Sequence, residues 1–230
     1  MKNFFTESTY FGVVVSLVAF EIGRFLQKRL KLPLFNPILI GIVLIIGLLL
    51  ALGVEYDSYY DGAKIISYLL TPATICLAVP LYEQLALLRK NVGALAAGIV
   101  AGVLANFVTI LVLAKLFGLD RFQFVTLLPK SITTAIGMDV SEALGGTVAV
   151  TVAAIIVTGT VGNMFAESLF RLIRVREPIA KGLALGTAAH AIGTAKAMEI
   201  GEVEGAMSSL ALTVCGLLTA VAASFLAQAY

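Results

Sequence analysis

Charged residues are scarce in this chain, and their scarcity excludes most classes of soluble protein. Asp, Glu, Lys and Arg make up 13% of the 230 residues, against roughly 25% in a typical soluble domain. So few charges cannot cover a globule of this size with polar surface. The formal net charge is only +2 and there is no basic tract, so the electrostatic footprint of a nucleic-acid binder is missing too.

Residues that carry catalytic or metal chemistry are equally sparse. Cys76 and Cys215 lie in apolar runs without the spacing of a metal site or a disulfide framework. His190 is the only histidine. The sequence contains no arrangement of nucleophile, base and orienting group, no phosphate-binding glycine loop and no metal-ligand cluster. We therefore expect neither an enzyme nor a protein that needs a metal or another cofactor.

Long apolar runs are what the chain has in abundance. Hydrophobic residues make up 60% of it, and its mean hydropathy is +1.00. A membrane-spanning helix needs about 20 apolar residues. Six stretches are predicted to be full spans: 9–26, 37–54, 63–85, 93–117, 147–170 and 206–228. The first is interpreted as a retained span, because no small-x-small cleavage site follows it. The prediction is a single all-α polytopic membrane domain over residues 1–230.

Two less apolar stretches, 123–145 and 182–202, belong to an apparent internal repeat. Both are rich in Gly, Ser and Thr, and both contain the sequence Ala-Ile-Gly. The segments that align are 72–75 with 129–132 (129 − 72 = 57), 100–106 with 157–163, and 130–137 with 186–193 (193 − 137 = 56). We interpret them as two or three copies of a unit of about 57 residues; chance similarity among apolar helices is the alternative.

The positions of basic residues bear on the topology. Basic clusters at 24–31, 89–90 and 171–181 are expected on the cytoplasmic side. Six spans satisfy this only if 123–145 enters and leaves on one face, as a re-entrant or broken element. With 182–202 as a second such element, successive repeats would face opposite ways, as in secondary transporters. Eight full crossings with parallel repeats are the alternative.

The first candidate site segment, 70–82, contains Pro72 and Pro80. Each proline removes a backbone donor and interrupts the helix. Thr71 and Thr74 supply hydroxyl groups beside the first proline. The segment is interpreted as a discontinuous helix lining a pathway, or as a kinked span whose threonines bond back to the preceding turn.

The second candidate segment surrounds Lys130. Ser131, Thr133 and Thr134 supply hydroxyl groups near a predicted helix start. A helix N-terminus presents unpaired N–H groups and partial positive charge, and Lys130 adds a full cation. Together they predict a receptor for an anion of about carboxylate size. The alternative is that Lys130 extends to the interface and pairs with lipid phosphate.

The third candidate segment, 186–199, contains His190. An ionisable group at membrane depth is costly and suggests a function, and histidine changes charge near neutral pH. His190 and Asp139 are therefore the candidates for proton coupling. On a continuous helix, Thr187, His190 and Thr194 would share one face of the pathway. A buried histidine satisfied by its neighbours is the alternative.

Other polar residues are expected in supporting roles. Asn106 and Asn163 occupy matching repeat positions inside apolar helices, as interhelical hydrogen-bond donors or as site ligands. Helical spacing predicts two ion pairs, Lys196 with Glu199 and Glu167 with Arg171.

Several of these motifs are similar to those of a known family. Residues 128–134, 186–196 and 202–211 resemble signatures of the LrgB/CidB antiholin-like family, as do Asn36-Pro37 and the run 72–82. The resemblance covers nearly the whole chain. Departures from the family pattern occur at Ala135, Ala189 and Lys196, where proline, serine and arginine are usual.

The resemblance implies a multi-pass protein of the bacterial cytoplasmic (inner) membrane that works with a smaller LrgA/CidA-type holin-like partner. It also implies a homo- or hetero-oligomer. Two roles are attached to the family. One is modulation of murein hydrolase activity and programmed lysis. The other is transport of small carboxylates, such as pyruvate in bacteria and glycolate or glycerate in related plastid proteins.

The residue patterns favour transport, since a lytic pore needs no anion receptor. The hypothesised site lies between segments 72–82, 130–134 and 187–194. Lys130 would hold the carboxylate, His190 would carry a coupling proton, and threonine hydroxyls would bond the second oxygen of the substrate. A third hypothesis is a scaffold that sequesters another pore former, with the broken elements dry and tightly packed.

Overall fold

The computed structural model of the chain describes residues 10–30, 35–76 and 78–230. Every regular element longer than one turn in these ranges is an α-helix, in agreement with the all-α prediction. In chain order the helices are α1 (Phe11–Leu30), α2 (Pro37–Leu52), α3 (Tyr56–Tyr68), α4 (Leu70–Cys76), α5 (Ala78–Glu83), α6 (Leu85–Lys90), α7 (Val92–Phe117), α8 (Arg121–Leu127), α9 (Thr134–Ala143), α10 (Val148–Leu172), α11 (Pro178–Ile200) and α12 (Glu202–Ala229).

Apolar stretches in the described ranges are long enough to cross a membrane. Four qualify by length and composition: Tyr56–Glu83, Val92–Phe117, Val148–Leu172 and Glu202–Gln228. Large apolar side chains on them stay exposed, such as Leu116 at 73% and Phe225 at 71%, and so large an apolar surface needs lipid around it. The chain is therefore a multi-pass membrane protein.

The predicted spans match these helices unevenly. The spans 93–117, 147–170 and 206–228 correspond to α7, α10 and α12. The span 37–54 is a shorter apolar helix, and 9–26, which lies in α1, is not among the four. The span 63–85 covers the end of α3, all of α4 and α5 and the first residue of α6. Residue 77, between α4 and α5, lies outside the described residues, so a break caused by Pro72 or Pro80 stays a prediction.

Contacts divide the chain into two compact units, residues 1–76 and 77–230; the single domain over 1–230 stays a prediction. In the first unit, α1 packs closely on α3. Gly12 touches the backbone of Tyr59, where a side chain would not fit, and the hydroxyls of Ser16 and Tyr59 lie 2.7 Å apart. Asn36 caps α2, accepting a hydrogen bond from the Ile38 N–H at 2.9 Å.

The second unit is built around α7, α10 and α12, with α8, α9 and α11 packed among them. Its main apolar core joins α7, α8 and α12. Tyr230 is fixed to this core: its hydroxyl donates to the Leu119 carbonyl at 2.6 Å, and its ring stacks on Phe124. Arg121 Nε donates to the Ala227 carbonyl at 3.2 Å.

Candidate functional site

Helix α11 doubles back on itself at His190. The backbone there has φ 41° and ψ −129°, which is not helical. A Cβ on Gly193 would lie 2.6 Å from the Leu185 carbonyl oxygen, although residues eight apart on a straight helix are separated by about 12 Å. The arms 178–189 and 191–200 therefore lie side by side. We call residues 178–200 hairpin 2.

This break overturns one prediction. A shared helix face for Thr187, His190 and Thr194 is wrong, because the helix does not continue through His190. Thr187 packs on Gly102 of α7, whereas the Thr194 hydroxyl lies 2.8 Å from the Ser208 hydroxyl of α12.

Both arms of hairpin 2 pack on the same stretch of α12. Gly186 from the first arm touches the Ser208 backbone, and Thr194 from the second arm meets the hydroxyl of the same serine. Nearer the base, the packed pairs are Gly182 with Glu204 and Met198 with Gly205. Glycines on the first arm let α12 approach closely enough to contact both arms.

A second hairpin precedes α10. Residues 128–133 connect α8 to α9, and a Cβ on Gly137 would lie 3.5 Å from the Pro129 carbonyl oxygen. Thr151 of α10 joins the two arms: its hydroxyl donates to the Thr126 carbonyl at 2.7 Å and lies 2.7 Å from the Ser141 hydroxyl. We call residues 121–143 hairpin 1.

The tips of the two hairpins meet on α10. Ile155 Cδ1 touches the position that a Cβ on Gly137 of hairpin 1 would take, and the Ile155 carbonyl oxygen lies 3.0 Å from His190 Nε2 of hairpin 2. Hairpin 1 has its base at the start of α10, near Thr151. Hairpin 2 has its base near the end of α10, where Glu167 pairs with Lys196 at 2.7 Å. The hairpins therefore approach Ile155 from opposite ends of α10.

Two asparagines hold the tip of hairpin 2. A helix break leaves backbone carbonyls without their usual N–H partners. Asn106 Nδ2 donates to the Thr187 carbonyl at 2.9 Å, and Asn163 Nδ2 donates to the Ile192 carbonyl at 3.2 Å. Both asparagines thus form the interhelical hydrogen bonds that were one of the two expectations for them.

Four predicted ligands lie together at the tip of hairpin 1. Lys130 is half-buried, and its Nζ donates to the Ser131 hydroxyl at 2.9 Å. Thr133 is the N-cap residue of α9, and Thr134 begins that helix. Gly137 of the same hairpin packs on Ile155, whose carbonyl oxygen contacts His190. The structure therefore brings the cation, the hydroxyls and the histidine into one region.

Hairpin 2 is more tightly packed than a pathway-lining element. His190 is 1% exposed and its Nε2–H donates to the Ile155 carbonyl. The Thr194 hydroxyl donates to the His190 carbonyl at 2.8 Å, and Thr187 is buried. This packing of His190 is what the scaffold hypothesis predicts, so a transport role requires the tip to move.

The remaining predicted residues are Thr71, Thr74 and Asp139. Thr71 is exposed on α4, in the first unit, and the side chain of Thr74 lies outside the described residues. Asp139 is exposed on α9. Within the described ranges, no three His, Cys, Asp or Glu side chains are grouped to hold a metal ion.

One ion pair differs from the expectation based on helical spacing. Lys196 does pair with Glu199, at 3.2 Å. Glu167 pairs with Lys196 rather than with Arg171, whose Nε donates to the Glu167 backbone carbonyl at 3.2 Å. Lys196 reaches Glu167 from the returning arm of hairpin 2, a contact that spacing along α10 cannot indicate.

Sequence reasoning missed Thr160. Its Oγ1 is buried and, among the described side chains, has no hydrogen-bond partner. Other helical hydroxyls here bond back one turn, as Thr109 does to the Ala105 carbonyl at 2.7 Å. Thr160 follows Gly159, whose Cα faces the His190 ring. A hydroxyl in an apolar helix could have drawn attention to Thr160. Such a hydroxyl usually bonds to the backbone carbonyl one turn earlier, so it did not by itself indicate a functional residue.

Replacing Thr160 by valine is expected to stabilise the protein. The substitution keeps the side-chain shape and removes a buried unsatisfied hydroxyl, which costs about 1 kcal/mol or more. The midpoint of thermal unfolding in detergent should therefore rise. Thr109→Val is the control, since it removes an exposed, bonded hydroxyl and should change the midpoint little. A lower midpoint for Thr160→Val would mean that the hydroxyl has a structural partner.

Comparisons with known proteins agree with the motifs. The sequence model of the LrgB-like family matches residues 16–229. Proteins called antiholin-like protein LrgB from Bacillus mycoides (strain KBAB4) and Bacillus cereus (strain B4264) are each 42% identical over 217 residues, covering 94% of this chain and 94% of theirs. The LrgB of Bacillus anthracis (strain CDC 684 / NRRL 3495) is equally similar. No solved structure matches significantly. The chain belongs to the LrgB-like family.

Proposed function

We propose that this protein is a secondary transporter or channel component for small carboxylates of the pyruvate, glycolate and glycerate class. The observation that carries the proposal is the convergence of two hairpin tips on Ile155 from opposite ends of α10. Irregular backbone at membrane depth is tolerated only where protein or a water-filled cavity satisfies it. Secondary transporters use such interrupted helices to build their substrate sites. No chemical change of the substrate is proposed.

The chemistry of the hairpin 1 tip suits a carboxylate. Lys130 supplies a cation, and Ser131 already accepts a hydrogen bond from it. The side chain of Thr133 makes no capping hydrogen bond, so the first turn of α9 presents N–H groups that its own cap does not engage. Thr134 adds a hydroxyl at the same turn. A carboxylate placed here would accept from a cation and a helix N-terminus together.

His190 is proposed to carry the coupling proton. Its Nε2–H is fixed by the Ile155 carbonyl, so exchange of a proton with solvent requires the hairpin 2 tip to withdraw from α10. Thr187 and Thr194 would become available to substrate oxygens in the same movement. Thr160, with its unsatisfied hydroxyl beside Gly159, is proposed as a further contact in this region.

We propose six full spans and two re-entrant hairpins, related by inverted repeats. Three features recur at the same offset: Asn106 and Asn163 (163 − 106 = 57), the breaks at Thr133 and His190 (190 − 133 = 57), and the helical arms 134–143 and 191–200 (191 − 134 = 57). The paired arms favour re-entrant elements over two further full crossings. The basic cluster 171–181, at the base of hairpin 2, favours a cytoplasmic position for that base.

The names of the relatives support a second candidate function. Antiholin-like proteins are named for an effect on holins, so the chain is alternatively a modulator of holin pores and murein hydrolase activity. In either case we propose that it resides in a bacterial cytoplasmic membrane and works with a smaller LrgA/CidA-type partner.

Reconstitution separates the two functions. Proteoliposomes containing the purified chain, with and without the smaller partner, are loaded with a fluorescent dye and supplied with radiolabelled pyruvate or glycolate. Saturable uptake without dye release is expected for the transporter. Dye release without saturable uptake, in either preparation, would reject the transport proposal in favour of a pore.

A further inference from the structure

A separate cavity of about 700 Å³ opens where α10 ends and the two arms of hairpin 2 return. It is remote from the hairpin tips: Arg171 lies sixteen residues after Ile155 on α10 (171 − 155 = 16), a rise of about 24 Å. Its size is within the range of small-molecule sites. Phe170, Val175 and Ile200 form its apolar walls.

The charges of this cavity leave an excess of cations. Four basic side chains line it, from Arg171, Arg174, Arg176 and Lys181. The two acidic side chains, Glu167 and Glu199, are both paired with Lys196, at 2.7 and 3.2 Å. Lys181 lies 4.0 Å from Glu204. Arg174 and Arg176 are exposed at the cavity wall and form no ion pair with any residue that the structure describes, so their charges are uncompensated.

Arg174 occupies a backbone position that favours glycine. Its φ is 59°, in the left-handed region. Helices α2 and α7 end with the same pattern of hydrogen bonds, and the equivalent residues there are Gly53 (φ 59°) and Gly118 (φ 62°). A side chain at this position strains the backbone. Of these three helix ends, only that of α10 has a residue other than glycine at the left-handed position. That residue, Arg174, is a cation that lines the cavity.

We propose that this cavity binds a phosphate group, with Arg174 and Arg176 as its principal ligands and Arg171 and Lys181 completing the positive surface. Guanidinium groups bind phosphate oxygens through paired, charge-assisted hydrogen bonds. The phosphate belongs either to the headgroup of an anionic lipid or to a soluble phosphate ester. Because α10 and both arms of hairpin 2 contribute to the walls, the ligand links the end of α10 to the base of hairpin 2. The proposal does not depend on carboxylate transport.

Arg174→Gly tests this site without endangering the fold. Glycine is the favoured residue at φ 59°, so the variant is expected to fold at least as well as the parent chain. The full chain is titrated in micelles of a sugar-headgroup detergent, which contains no phosphate, with phosphatidylglycerol and separately with glycerol phosphate. The rise in unfolding midpoint gives the affinity. We expect about a tenfold weaker affinity in Arg174→Gly and also in Arg176→Gln, since each loses a charge-assisted hydrogen bond.

Arg89→Gln is the matched control, because Arg89 is an exposed cation of the same unit outside the cavity. It should retain the parent affinity. Binding of phosphatidylglycerol alone would assign the phosphate to a lipid, and binding of glycerol phosphate would assign it to a soluble ester. Equal loss of affinity in all three variants would overturn the site in favour of diffuse surface charge. Unchanged affinity in Arg174→Gly and Arg176→Gln, or no binding of either probe, would overturn it as well.

Discussion

Lys130→Met is expected to weaken saturable carboxylate uptake in proteoliposomes at least tenfold while leaving the protein folded. The variant keeps most of the length and apolar volume of the lysine but removes its charge. A charge-assisted hydrogen bond to a carboxylate is worth about 1.5–3 kcal/mol, so the half-saturating concentration should rise at least tenfold. Stability should not fall, since Lys130 is a half-buried cation whose one hydrogen-bond partner among the described residues is the Ser131 hydroxyl, and such a cation loses solvation on folding.

Two further lysine variants test whether the effect depends on the position and the charge of Lys130. Lys115→Met removes an exposed lysine at the end of α7 and should leave uptake unchanged. Lys130→Arg retains the charge and should keep part of the uptake. If Lys130→Met transported carboxylates as the parent does, Lys130 would have no role in binding, and the anion site proposed at the hairpin 1 tip would be rejected.

Among the substitutions proposed for this protein, Gly186→Ala is expected to lower the stability most. A Cβ at this position would press on the backbone carbonyl of Ser208 and lie 2.8 Å from Ala211 Cβ. These atoms belong to α12, so the hairpin must shift as a unit. Overpacking of this kind costs about 1–3 kcal/mol, and the gain in helix propensity from alanine recovers less than about 1 kcal/mol. Thermal unfolding in detergent should show a clearly lower midpoint.

Gly93→Ala provides the same substitution in open space. Gly93 lies in the first turn of α7, and nothing lies within 4 Å of the position its Cβ would take. The variant should be as stable as the parent or slightly more stable. Similar midpoints for the two alanine variants would show that hairpin 2 does not pack on α12 as described. Carboxylate uptake by Gly186→Ala should fall together with its stability.

Much of the fold could be predicted from the composition of the chain. Low charge and long apolar runs indicated a helical membrane protein, and the helices α7, α10 and α12 correspond closely to predicted spans. The helix break expected at Pro72 and Pro80 stays a prediction, because residue 77 lies outside the described residues. Family membership followed from motifs long enough to be specific, and the comparisons confirm it.

Contacts between elements distant in the sequence could not be predicted from composition or helical spacing. The composition of 182–202 predicted a re-entrant or broken element but not the residue at which the helix breaks. Only the positive φ of His190 makes Gly193 a neighbour of Leu185. The prediction that Thr187, His190 and Thr194 share one helix face was wrong for that reason. The pairing of Glu167 with Lys196 likewise depends on a returning arm. Thr160 was not predicted, because whether a hydroxyl has a hydrogen-bond partner depends on the residues packed around it and not on its position along the helix.

Ile155 places a mechanical constraint on the two hairpins. Its side chain meets one tip and its carbonyl holds the other, so a single turn of α10 contacts both hairpins. Withdrawal of one tip would release an atom of the same residue that the opposite tip contacts, so a movement of either hairpin would reach the other through α10. In the transporter proposed above, this shared contact would hold one tip in place while the other withdraws, so that the substrate pathway would not open at both ends at once.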